Sequence, residues 1–322
     1  MKIAMIGSGA AGSVFAAYLR RGGADITLVD PYKEHMDKIA ADGLTFVINA
    51  SGGETYQLTG FKTAYNADDI GIMDIVIFMT KTPQLDSALK TAEPCIGENT
   101  VLVSLMNGLG NEDKLAKVVP ADRILYGNGV LGTELDGPGK CISSPSADGL
   151  QMNFGALERG PLTEAAGAEL ERLFIAGGCP CKFWDDVAPH FWQKIITNCT
   201  FNPLCAILRL KSKDIMKDMN GAGLAIGVVT ECCAVATARG CTMEVPAFMA
   251  ELRRTASGGS IEDYYPSMAQ DVLMYKRQTE IDTLNGAIVK YGKQYGIPTP
   301  YNDFITKAIK AIQKNYDKQY QE

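Results

Sequence analysis

A glycine-rich turn near the start of the chain, Gly7-Ser8-Gly9-Ala10-Ala11-Gly12, limits the fold more than any other feature. It follows an apolar run, Lys2 to Ile6, that reads as a strand. It leads into Ala10 to Arg21, whose apolar spacing is helical. A G-x-G-x-x-G pattern alone is weak, but between a strand and a helix it marks a dinucleotide-binding turn. The first glycine bends the chain, the second lets a pyrophosphate approach the backbone, and the third lets helix and strand pack closely. The helix N-terminus then offers unpaired N–H groups and a positive dipole end to phosphate. Gly7, Ser8, Gly9, Ala10, Ala11 and Gly12 are therefore candidate cofactor contacts. Asp30 stands 18 residues after Gly12, at the end of a second strand expected over Asp25 to Val29. A carboxylate there hydrogen-bonds the adenosine ribose and repels a 2'-phosphate, so the cofactor is NAD(P)H with NADH favoured. Lys33 is a nearby cation that would soften that repulsion.

The rest of the first half repeats the strand–helix rhythm. Asp74 to Met79 and Thr100 to Leu105 are continuous apolar runs suited to strands covered on both faces. Helical stretches are expected at Leu85 to Ala92 and Glu112 to Val119. After about residue 124 the strands become hairpin-like, with turn signals at Asp136-Gly137-Pro138-Gly139 and Asp148-Gly149. From Asp185 onward the chain reads as helix, over 187–209, 221–239, 245–255, 280–294 and 301–317. Ser257-Gly258-Gly259-Ser260 reads as a loop within that region. The expectation is an α/β protein: an N-terminal Rossmann-type doubly wound sheet over 1–184, then an all-helical C-terminal domain over 185–322.

Composition narrows the function. The chain has 322 residues and a net charge of -6, from 37 acidic and 31 basic residues, with no basic stripe. That argues against nucleic acid and against a polybasic membrane patch. No apolar run in the sequence reads as the ~18 uncharged residues of a membrane span. Nine cysteines without a C-x-x-C pair, and without nearby histidines, suggest reduced thiols in a cytoplasmic protein and no metal site.

Polar residues interrupt apolar surroundings at four places. Thr80-Lys81-Thr82-Pro83-Gln84 and Met106-Asn107-Gly108-Leu109-Gly110 each follow a strand, at the end where open α/β sheets bind ligands. Lys194, Asn198 and Asn202 recur at i, i+4 and i+8 among Ile195, Ile196 and Phe201, and so share one helix face. The last place is Ser267-Met268-Ala269-Gln270-Asp271, followed by Lys276-Arg277-Gln278-Thr279-Glu280-Ile281-Asp282; Thr279-Glu280 equally suits a plain helix start. Of the two histidines, His35 lies on the adenosine side and His190 at a helix start where an exposed role is expected. Lys194 is the better proton donor, because a partly desolvated ammonium is a stronger acid near neutral pH.

Taken in order, G-x-G-A-x-G, K-x-x-Q, N-G-x-G, W-x-K-x-x-x-N-x-x-x-N-P, S-M-x-Q-D and K-R-x-T-E-I-D resemble the ketopantoate reductase family over roughly residues 1 to 310. The resemblance implies reduction of a 2-keto acid to a 2-hydroxy acid, with 2-dehydropantoate and (R)-pantoate the leading pair. It implies Lys194 as general acid, with Glu280 in the same site. It implies Asn107 beside nicotinamide and substrate, Asn198 and Asn202 on the substrate's polar groups, and Ser267 on its carboxylate. Lys81 and Gln84 would lie along the cofactor. Two features depart from typical members, which carry an arginine near the end of the second strand and prefer NADPH. This chain has Asp30 there, and its Ser267–Glu280 stretch is one residue longer. Both resemble a branch of NAD-dependent D-2-hydroxyacid dehydrogenases, D-mandelate dehydrogenase among them. A non-catalytic NAD(H) sensor is a third reading, against which the presence of Lys194 and Glu280 argues. A helical C-terminal domain could also support a homodimer.

Overall fold

The computed structural model describes residues 1–50, 53–145, 149–256 and 265–319; the expected Ser257–Ser260 loop and Asp148 lie outside them. Two compact units result, one of residues 1–106 and 111–187, the other of 107–110 and 188–322.

In the first unit the chain runs β1 (Lys2–Ile6), α1 (Ala10–Arg21), β2 (Asp25–Val29), α2 (Lys33–Asp42), β3 (Leu44–Ile48), β4 (Glu54–Leu58), β5 (Lys62–Ala64), β6 (Met73–Phe78) and α3 (Leu85–Ala92). It continues through β7 (Ile96–Ser104), α4 (Asn111–Leu115), β8 (Ile124–Gly129), β9 (Gly132–Leu135), β10 (Lys140–Ser144), β11 (Met152–Ala156), α5 (Pro161–Ala176) and β12 (Cys181–Trp184). Eight strands form one sheet in the order β12-β11-β8-β7-β6-β1-β2-β5. Its pairs are parallel except β11 with β8. Alternate side chains of the apolar runs feed two different cores. Ile3, Met5, Ile75 and Ile77 join Phe15, Tyr18 and Phe174 on one face. Ala4, Ile6, Val76 and Phe78 join Leu85, Leu89 and Leu115 on the other. Burial on both faces explains the absence of polar alternation, and each buried Val, Leu, Ile, Met or Phe side chain contributes about 1.5–3 kcal/mol of hydrophobic free energy. The strand order reverses direction at β1, which has β2 on one side and β6 on the other. The ends of β1 and β6 therefore adjoin at a topological switch point, where such sheets take their ligands.

Three features of this unit differ from the sequence-based expectation. β3, β4, β9 and β10 form a separate four-stranded sheet, order β4-β3-β10-β9. Asp136–Gly139 does turn between β9 and β10, with Gly137 and Gly139 at positive φ. The helix expected from Glu112 to Val119 is α4 only to Leu115, then a looser turn. The chain changes unit between Val187 and Ala188, because β12 pairs with β11 and Val187 is buried against Gly155.

The second unit is helical: α6 (Ala188–Leu208), α7 (Ser212–Lys217), α8 (Met219–Ala238), α9 (Val245–Ala256), α10 (Ser267–Leu273), α11 (Asn285–Tyr295) and α12 (Pro300–Gln313). α6 packs against α8, α10 and α12. The helix expected from residue 280 starts only at Asn285. Glu280 instead opens a tight turn, its carbonyl accepting from both Thr283 N (3.0 Å) and Thr283 Oγ1 (3.0 Å). α8 corrects the reading that no run is long enough for a membrane span. Over 20 residues it is long and apolar enough by length and composition, and half of its apolar stretch is buried inside the unit. Its one charged side chain, Glu231, is buried and caps α12, which is the behaviour of a core helix.

Candidate active site

In the first unit the candidate cofactor residues cluster around the β1–α1 turn. Gly7 has φ +91°, and a Cβ there would stand 2.8 Å from Thr80 Cγ2 and 2.9 Å from Met79 C, so this turn fits against the end of β6 only as glycine. A Cβ on Gly12 would sit 1.9 Å from the Gly7 carbonyl oxygen, which is the close helix–strand packing the motif requires. Gly9 is different: a Cβ there meets nothing within 4 Å. That open space lies at the N-terminus of α1, which has no side-chain cap and no acidic residue in its first turn. Helix N–H groups facing open space suit a pyrophosphate. Ser8 Oγ is buried without a protein partner among the described residues.

Asp30 is fixed by two backbone donors. Ser8 N–H donates to Oδ2 (2.7 Å) and Tyr32 N–H to Oδ1 (2.9 Å), so the carboxylate is wired to the glycine turn. Lys33, the cation that could have softened its field, places Nζ over the Tyr65 ring, 5.0 Å from the centroid. Lys81 and Gln84 are exposed on the turn that follows β6.

His35 has a role the sequence did not reveal. It is fully buried, and Gly139 N–H donates to Nδ1 at 2.9 Å, so Nε2 carries the proton. Nε2 lies 3.0 Å from Ser13 Oγ, which in turn donates to the Ser8 carbonyl at 2.7 Å. This buried chain stiffens the glycine turn from beneath. Its signal in the sequence was only a histidine and a serine 22 residues apart.

The remaining candidates all belong to the second unit. Asn107 is exposed on a loop whose Leu109 N–H donates to the Thr283 carbonyl at 2.8 Å. Gly108, at φ +96°, leaves no room for a side chain: a Cβ would stand 2.9 Å from Thr283 Cβ and Oγ1. The Asn107 loop is thereby held against the Glu280 turn. On α6, Lys194 and Asn198 are half-buried and Asn202 is buried. Burial lowers the Lys194 pKa from 10.5 to about 8, with the Glu280 carboxylate pulling in the opposite direction. Lys194 is thus a cation with a carboxylate near it, poised to give up a proton close to neutral pH. His190, for which an exposed role was expected, lies on the same face one turn earlier and is half-buried. Ser267 is exposed at the first residue of α10.

Comparison with known proteins bears on both units. Residues 3–158 match the family described as Ketopantoate reductase PanE/ApbA, and 186–313 match the Ketopantoate reductase PanE/ApbA C terminal family. The 2-dehydropantoate 2-reductase of Lactococcus lactis is 31% identical, covering 96% of this chain and 97% of its own length. That of Aquifex aeolicus is also 31% identical, covering 97% and 96%. Among solved structures, a D-mandelate dehydrogenase with NADH and anilino(oxo)acetate superposes with a TM-score of 0.84 at 31% identity, covering 99% of this chain and 100% of its own.

Proposed function

Since the chain belongs to the ketopantoate reductase family of NAD(P)-dependent oxidoreductases, we propose that it reduces 2-dehydropantoate to (R)-pantoate with NADH, using Lys194 as general acid. The observation that carries this reading is a half-buried lysine on one helix face with Asn198 and Asn202; burial pulls its pKa down to about 8 while the Glu280 carboxylate favours its charged form. The nicotinamide ring supplies the hydride. The protein's own residues hold the substrate and manage the proton. Lys194 donates its proton to the keto oxygen, where negative charge develops as C2 is reduced. Glu280 holds the ammonium in its protonated, donating form between turnovers. Ser267 takes the carboxylate, and Asn107 orients the keto acid beside the nicotinamide. Asn198 and Asn202 read the terminal hydroxyl. Gly7 to Gly12 hold the pyrophosphate, with Lys81 and Gln84 along the cofactor.

NADH is favoured because both Asp30 oxygens are pinned by backbone donors, and the carboxylate cannot swing away from a 2'-phosphate. Lys33, engaged on the Tyr65 ring, adds support. The same observations favour a second reading, an NAD-dependent D-2-hydroxyacid dehydrogenase acting on mandelate or branched-chain hydroxy acids, since the D-mandelate dehydrogenase noted above was solved with NADH. A cytoplasmic location fits nine thiols that are all buried. A homodimer through the helical unit fits the exposed Ile226, Tyr301 and Phe304 of α8 and α12, on a stretch of α8 whose exposed positions carry no charge.

One kinetic panel tests these statements together. The wild type and Asp30→Arg are assayed with NADH and NADPH, each with 2-dehydropantoate, 2-keto-3,3-dimethylbutyrate and benzoylformate as substrates. If asparagines read the hydroxyl, the compound lacking it loses orders of magnitude in kcat/KM. Wild type prefers NADH, and Asp30→Arg moves preference toward NADPH. Equal turnover of benzoylformate would favour the second reading and sink the pantoate assignment, and a tenfold preference for NADPH by the wild type would sink the role given to Asp30.

A further inference from the structure

We infer that Asn285 is a positioning residue that fixes the Glu280 turn against the Lys194 helix through the backbone carbonyl of Cys199. This rests on the reading of Lys194 as the acid. α6 contains Pro203, and in an α-helix the N–H of residue 203 would bond to the carbonyl of residue 199. Proline has no N–H, so the Cys199 carbonyl is left without its helical donor in the buried interior of the unit. Asn285 Nδ2 supplies one, at 2.9 Å. The acceptor lies five residues after Lys194 and the donor five residues after Glu280 (199 − 194 and 285 − 280). One hydrogen bond therefore spans the segment that carries Lys194 and the segment that carries Glu280, whose carboxylate acts on that lysine.

The orientation of Asn285 is enforced. Its Nδ2 also donates to Asn302 Oδ1 at 2.9 Å, and Asn302 is itself set by donating Nδ2 to Glu231 Oε2 at 2.7 Å. With two acceptors facing it, the amide cannot flip. The arrangement leaves Asn285 Oδ1 buried without a partner among the described residues. The unpaired oxygen offsets part of the stability that Asn285 contributes by satisfying the Cys199 carbonyl and Asn302 Oδ1, so stability and positioning have to be separated by the measurement. Elements packed on α6 bring other charges. α8 brings Glu231, held by α12, and α10 brings Asp271, paired with Arg277. On α12, Lys307 pairs with Asp303 and Lys310 with Asp282, while α7 carries Lys213, Asp214 and Lys217. Glu280 is the charged group that acts on Lys194.

The test compares wild type, Lys194→Ala, Asn285→Ala, Pro203→Ala and the Asn285→Ala/Pro203→Ala double variant. Tm is measured for each, and so is the pH profile of kcat/KM when NADH reduces the keto acid. A position-dependent role predicts that Asn285→Ala loses about tenfold or more in kcat/KM. It also predicts that the alkaline limb of the profile moves to lower pH, because Glu280 no longer supports the charged form of Lys194. Pro203→Ala restores a helical N–H to the Cys199 carbonyl. The double variant should therefore recover Tm but keep the displaced limb, since the link to the Glu280 turn is still missing. If Asn285→Ala does not fold, the double variant gives the same readout. The proposal is overturned if the limb stays in place in the Asn285 variants, or if the double variant recovers profile and Tm together, as a purely structural role requires. A limb that persists in Lys194→Ala overturns the acid assignment and the proposal with it; a limb lost there but unmoved in the Asn285 variants overturns the proposal alone.

Discussion

Lys194 carries the most direct prediction. Burial stabilises its neutral form and brings its pKa down to about 8. Reduction needs the protonated amine, so kcat/KM for keto-acid reduction should fall as pH rises through about 8. Oxidation of the hydroxy acid needs the neutral amine and should rise through the same pH. Lys194→Ala should lower kcat by about 10²–10⁴-fold with little change in NADH affinity. His190→Ala, one turn away, should keep most activity; the reverse ranking would move the proton-transfer role to the histidine. The Lys194, Asn198 and Asn202 stripe was legible in the sequence because i, i+4 spacing survives any tertiary context. Asn285 was not, because what it serves is a carbonyl 86 residues away, and a carbonyl has no residue type. Its only trace was Pro203, which predicts a missing N–H but not who replaces it.

At the level of elements, Glu231 joins two helices. From within α8 it accepts hydrogen bonds from Tyr301 N (2.8 Å), Asn302 N (2.9 Å) and Asn302 Nδ2 (2.7 Å), so a buried carboxylate on one helix caps the start of another. Replacing it with leucine removes the anion from the positive end of α12 and strands three donors, at a cost of about 2–4 kcal/mol. Thermal unfolding should shift down by roughly 5–10 °C. Glu231→Gln, which keeps an oxygen acceptor, should recover part of this. A leucine variant within 1 °C of wild type would show that water replaces the cap. The sequence exposed the elements with strong apolar periods, and α1, β1, β2 and α3 match the expected ranges residue for residue. It hid α5, whose buried face is Thr163, Ala166, Gly167, Leu170, Leu173 and Phe174. That spacing is helical, but three small or polar residues mute the apolar signal. The second sheet was hidden because β4 is short and half-buries only Tyr56 and Leu58, an alternation too brief to mark a strand.

At the scale of the whole molecule, the His35 chain links the glycine turn and α1 of one sheet to the β9–β10 turn of the other. Nδ1 must stay unprotonated to accept from Gly139 N–H, and desolvation by burial lowers the His35 pKa below the ordinary 6.5. Above pH 6.5 the folded and unfolded chains are both neutral at this residue, and it adds no pH dependence. Below 6.5 the unfolded chain takes up a proton that the folded one refuses, so stability is lost progressively as pH falls toward the folded pKa. The first unit should therefore unfold at lower urea at pH 5.5 than at pH 7.5. The two tryptophans allow the units to be followed separately, since Trp184 lies in the first and Trp192 in the second. In a Trp192→Phe background, Trp184 fluorescence reports the first unit alone. The only other histidine, His190, is in the second unit, and ordinary carboxylates titrate below about pH 5, so His35 dominates this window. Replacing it by asparagine should flatten the pH dependence between 7.5 and 5.5 even though the variant is less stable throughout. An unchanged slope in that variant would mean that some other group takes up the proton and that the His35 chain is protected from it.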